Sequence, residues 1–228
     1  MSSMKINDFS SIGKKIGTLF ANVNLIHPSG FEFVNNCVSL HPQKITGMNI
    51  WHNIFCVITS PRYGWEVINE SNIPVGKVLR SAYLPMLVVL ALSCFVPMIY
   101  DSTIPFAKSL MTGIVLFSTY FISYYIIIYI LSSLYPELVK TEGARARLND
   151  FILYNLIFLV LLQILSKWLP SDFTPVLFLM LYLPWMAYRG TGNLFVKKEK
   201  VNRFTVISSA LLLGLPILLE FILGLFVI

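Results

Sequence analysis

The sequence predicts an all-α fold: a polytopic membrane protein with a five-helix transmembrane bundle, preceded by N-terminal interfacial helices. Three observations carry this prediction. Charged residues make up 12% of the chain and hydrophobic residues 56%, with a mean hydropathy of +0.73, whereas soluble domains carry about 25% charged residues. Five long apolar runs separate the polar segments, and a crossing needs about 20 mostly apolar residues. The net charge of +6 gathers in alternate polar segments, which argues for orientation in a bilayer rather than nucleic-acid binding.

The N-terminal extension is residues 1–48. Phe9, Ile12, Ile16, Leu19 and Phe20 form an apolar stripe beside Lys14 and Lys15, the pattern of a surface-bound amphipathic helix. The other reading is a disordered extension ahead of a start at Met48. The first 30 residues lack the continuous apolar core and small-residue cleavage site of a signal peptide.

The membrane domain is residues 49–228. Ile50, Ile54, Val57 and Ile58 share one helical face with Trp51 and Phe55 beside it, which predicts a helix lying in the headgroup layer. Ser60 and Pro61 read as an N-cap and first helical residue. Trp65 and Ile68 would dock this second short helix on the membrane.

The spans are expected at 81–100, 109–134, 151–169, 173–188 and 204–228. The fourth is short and holds Pro175 and Pro184. Flanking aromatics and local thinning let such a segment cross. Seven Lys and Arg precede the first span, three follow the second and five follow the fourth. The remaining polar segments hold one, one and none, so the division is fifteen against two. The positive-inside rule puts the fifteen, and the N-terminus, in the cytoplasm and the C-terminus outside.

Several residues are candidate sites. Glu220 lies deep in the last span, four residues after Pro216. An ionised acid at mid-bilayer costs about 2.5–3.5 kcal/mol, so such a residue is a functional candidate. It suits a proton carrier or a counter-charge, with Lys167 and Lys108 as partners. A protonated acid near the outer interface is the plainer reading. Asn155 and Gln163 share a face of the third span to within roughly 80° and suit bonds between helices. Tyr120, Tyr124, Tyr125 and Tyr129 line a cavity or anchor the second span. Ala210 and Gly214 form a small-xxx-small pair that admits another helix closely. Arg189-Gly190-Thr191-Gly192 resembles a backbone nest for a lipid phosphate, or is a plain loop. Lys197, Lys198, Lys200 and Arg203, with Arg189, suit contact with anionic lipid at about 1 kcal/mol per basic residue.

Cys37, Cys56 and Cys94 are odd in number and irregular in spacing, so no disulfide framework is expected. His27, Cys37 and His41 match no metal-ligand spacing, and no catalytic motif appears.

Pro61, Trp65, Ile68, Tyr83 and Pro85 form a lead-in to the membrane domain that resembles the same region of the Yip family. The segment from Leu181 through the basic loop to the last span resembles that family's fourth and fifth spans. The DLYGP-like motif of eukaryotic members is absent, which favours the bacterial branch. The resemblance implies five spans, a cytosolic N-terminus and no catalytic residue. The expected function is therefore a non-enzymatic organiser of membrane lipid or partner proteins in a bacterial inner membrane, without a cofactor. The alternative is a small transporter or channel component using Glu220 with Asn155 and Gln163. Membrane lipid, a protein partner or a second copy are the expected partners; nucleic acid is not.

Overall fold

Prolines set many of the helix boundaries in the computed structural model, which describes residues 50–71, 73–101, 103–139, 142–169, 178–194, 196 and 198–225. All belong to one unit, Thr46–Ile228. The N-terminal extension, residues 170–172, residues 173–177 of the fourth expected span and residues 226–228 of the fifth lie outside the described residues. The described residues form seven helices of nine residues or more, and no strand.

Helices α1 (Ile50–Thr59) and α2 (Pro61–Ser71) form an antiparallel hairpin. The Ser60 carbonyl accepts the Gly64 N–H at 2.8 Å, so Ser60 holds the N-cap position and Pro61 the first turn, where its missing N–H costs nothing. Gly64 lets the helices touch: a Cβ there would lie 2.5 Å from the Val57 backbone. Asn53 Nδ2 ties the open end to Ser71 Oγ at 3.3 Å.

Helix α3 spans Val75–Tyr100, α4 Phe106–Leu134, α5 Glu142–Trp168 and α7 Val201–Gly224. These four are long and apolar enough to cross a membrane. The described part of the fourth expected span, residues 178–188, leads into α6, Tyr182–Gly190, which runs two residues past the expected end. Pro74 and Pro105, both extended, begin α3 and α4. Tyr135 ends α4 outside the helical region, as a residue before proline must be. Within α3, Leu79–Tyr83 is a π-turn in which the Leu84 N–H bonds the Leu79 carbonyl. It sits just before Pro85, whose ring would clash with an α-helical carbonyl four residues back.

The helices alternate in direction. One end of the bundle gathers Lys77, Arg80, Arg145, Arg147, Arg189 and Arg203 and is called the basic end. Lys200 there is 2.7 Å from Glu137, which holds its ammonium above the usual range. At the opposite end Phe95 and Phe106 meet at 5.2 Å. There the Thr103 hydroxyl and N–H donate to Asp101 and hold its carboxyl below the usual range. Helix α5 is central: 67% of its most apolar window is buried, against 22% for α7. It packs on α1, α3, α4 and α6, while α4 also packs on α7.

The structure corrects several expectations. Helices α3, α5 and α7 begin before the apolar runs, because backbone hydrogen bonding continues through the charged turns. The hairpin runs along α5. Its tip reaches the level of Phe158, where Tyr182 donates its hydroxyl to the Ile58 carbonyl at 3.0 Å. That level is about 10 Å beyond Phe151, where the apolar part of α5 begins. Trp65 and Ile68 are buried against the bundle rather than docked on lipid, while Trp51 and Phe55 are exposed. Ala210 and Gly214 face outward, with nothing within 4 Å of a Cβ on Gly214. The close internal approach is at Gly113, where a Cβ would lie 2.8 Å from the Ala91 carbonyl oxygen.

Candidate functional site

Polar groups gather in two places, one at each end of the bundle. At the basic end, α2 brings Trp65 against α5 and α6. Its ring stacks on Phe151 with centroids 5.7 Å apart, meets Tyr154 edge-on at 6.2 Å, and donates Nε1–H to the Met186 carbonyl at 3.1 Å. Gly190 makes room for both rings: a Cβ there would lie 2.8 Å from Trp65 and 2.9 Å from Phe151. This explains the glycine. Gly190 and Thr191 both have right-handed helical backbones, with φ of −67° and −62°, so the expected nest, which alternates hands, does not form there. Arg189 instead lies over the Trp185 ring at 4.4 Å.

Beside this aromatic stack is a cavity of about 290 Å³. Its apolar wall includes Trp65, Ile68, Val75 and Phe151, and its polar wall includes Asn69, Arg147 and Asp150. The Asp150 Oδ1 atom is buried and has no hydrogen-bond partner. The cavity lies where the apolar part of α5 gives way to its charged first turns. Sequence reasoning did not single out Arg147 or Asp150. The available signal was an opposite-charge pair at i, i+3, one helical turn apart, at the start of a span.

At the opposite end, Gln163 lies within hydrogen-bonding reach of the Tyr120 hydroxyl, and Glu220 is close enough to influence the same tyrosine. Cys94 lies within electrostatic reach of both Lys167 and Glu220. Glu220 is half-buried, and no salt bridge joins it to Lys167 or Lys108. The expected Glu220 ion pairs with Lys167 or Lys108 are therefore not formed.

Asn155 does not join this cluster. It is fully buried and donates Nδ2 to the Phe151 carbonyl of its own helix at 2.6 Å, so the expected bond to another helix is not made by this group. Tyr120 and Tyr124 are buried while Tyr125 and Tyr129 are exposed, so the tyrosines do not line one cavity.

Of the lead-in motif, Pro61, Trp65, Ile68 and Tyr83 are buried and Pro85 is exposed. Tyr83 donates its hydroxyl to the Tyr120 carbonyl at 2.7 Å, joining α3 to α4. Arg203 is exposed; Lys197 lies outside the described residues. Cys56 and Cys94 are buried, and the Cys56 Sγ lies 3.4 Å from His52 Nε2. Among the described residues no group of three His, Cys, Asp or Glu could hold a metal ion; His27, Cys37 and His41 lie outside them. No family model, curated protein or solved structure matches the chain.

Proposed function

We propose that this chain is a non-enzymatic, multi-pass membrane protein of the Yip type that organises membrane lipid at its basic end. It crosses a bacterial inner membrane five times, with the N-terminus in the cytoplasm and the C-terminus outside. The observation that carries this reading is the docked α1–α2 hairpin, which closes a mixed polar and apolar cavity at the level where a bilayer's headgroups would lie. The bias of basic residues to that end supports the orientation. The outward face of α7, with Ala210 and Gly214, suits a protein partner or a second copy.

A second reading, a small transporter component, has the Tyr120–Gln163–Glu220 neighbourhood in its favour. One reconstitution separates the two. Full-length protein in vesicles containing a fluorescent anionic lipid is expected to concentrate that lipid around itself. Replacing Lys197, Lys198, Lys200 and Arg203 by Gln should remove most of the enrichment, since a basic residue near an anionic surface contributes about 1 kcal/mol. Glu220→Gln should leave it unchanged. Loss of an ion or solute flux in Glu220→Gln, with no effect of the basic residues on lipid, overturns the lipid reading and favours transport.

A further inference from the structure

We propose that the basic-end cavity holds the headgroup of an ethanolamine phospholipid, with its ammonium on Asp150 and its phosphate beside Arg147. The inference rests on the lipid reading above and names the lipid.

The two charges are three residues apart on α5 and line one cavity, so their side chains are neighbours on one helix face. A zwitterionic headgroup presents a charge opposite to each of them and adds no net charge to the cavity. The ammonium assignment follows from Asp150. Its buried Oδ1 has no hydrogen-bond partner, and an orphaned buried acceptor is costly until a donor arrives. An ethanolamine headgroup brings three N–H donors. A choline headgroup has the same charge and no N–H. A glycerol headgroup brings hydroxyls but no positive charge, and its phosphate would be repelled by Asp150. On the phosphate side, α3 begins at the cavity with Val75, and its N-cap, Pro74, makes no side-chain cap. The positive end of the helix dipole therefore reinforces Arg147. Trp65, Ile68 and Phe151 supply the wall against which the glycerol and upper chain would lie. At about 290 Å³ the space is at the small end for ligand pockets, which suits a headgroup rather than a whole lipid.

The test is native mass spectrometry of the full chain in detergent, titrated with short-chain lipids. Their headgroups are ethanolamine, its mono- and dimethyl forms, choline and glycerol. Affinity should fall stepwise as N–H donors are replaced, by about tenfold from ethanolamine to choline, the scale of one charge-assisted hydrogen bond. Asp150→Asn should flatten the series. The methyl series needs no variant, so the test survives if Asp150→Asn does not fold. A flat series in the natural protein, or an unchanged slope in the variant, overturns the ethanolamine assignment while leaving lipid binding standing. Retention of no lipid of any headgroup overturns the lipid reading itself. Equal affinity for chain-free glycerophosphoethanolamine overturns the lipid source and assigns the site to a free metabolite.

Discussion

Trp65→Ala is expected to destabilise the membrane domain by about 3 kcal/mol, at the lower end of the range for truncating a buried large aromatic. The ring joins three helices: it stacks on Phe151 of α5, fills the space left by Gly190 of α6, and donates to the Met186 carbonyl. Truncation leaves a void on one side of Phe151 and removes a buried hydrogen bond, which adds about 1 kcal/mol. Trp65→Phe keeps a ring and should recover more than half of the loss. The geometry also predicts coupling. Gly190→Ala alone places a methyl 2.8 Å from Trp65 and should cost about 1–3 kcal/mol by overpacking. In a Trp65→Ala background it should cost clearly less. Cys56 and Cys94 are buried, so a thiol-reactive dye reports unfolding for every variant. Additive losses in the double variant would show that the two residues do not share one packed contact.

Gly64→Ala is the second large effect expected. The new methyl would lie 2.5 Å from the Val57 Cα and N and 2.7 Å from the Cys56 carbonyl carbon. These are backbone atoms of α1, which cannot rotate aside, so α1 and α2 must part. The cost should reach or exceed the upper end of the usual 1–3 kcal/mol for overpacking. The Cys56 thiol, 0% exposed, should label many times faster than in the natural protein. Gly76→Ala is the control. Nothing lies within 4 Å of a Cβ there, so removing a helical glycine should be neutral or stabilising by up to about 1 kcal/mol. Equal behaviour of the two variants would mean that the hairpin is not closed at Gly64.

Much of this architecture is legible in the residues. Long apolar runs identify the four helices that can cross a membrane, and Ser60-Pro61 marks the break in the hairpin. The apolar stripe of Ile50, Ile54 and Val57 identifies a buried face. Its destination is not legible, because lipid and protein interiors are equally apolar and the stripe fits either. The glycines mislead for a related reason. Two glycines after Arg189 look like a phosphate-binding loop, yet Gly190 is small because two aromatic rings from distant segments press on it. Asn155 and Gln163 share a face by spacing, but eight residues separate them by about 12 Å along the helix. Gln163 therefore reaches Tyr120, while Asn155 bonds its own helix. Asp150 reads in the sequence as an acid at a span end, just before the apolar run that starts at Phe151, and a carboxylate there is ordinary until its surroundings are known.

The central claim is that the basic end faces the cytoplasm and that the chain crosses five times. A topology map tests it most directly, with one reporter fused at the C-terminus and a second placed after Lys200. The expected result is an outside C-terminus and a cytoplasmic reporter after Lys200. A cytoplasmic C-terminus would mean that the segment ending in α6 turns back without crossing. The last span would then reverse, and the five basic residues before it would lie outside, contradicting both the orientation and the lipid-facing role of that end.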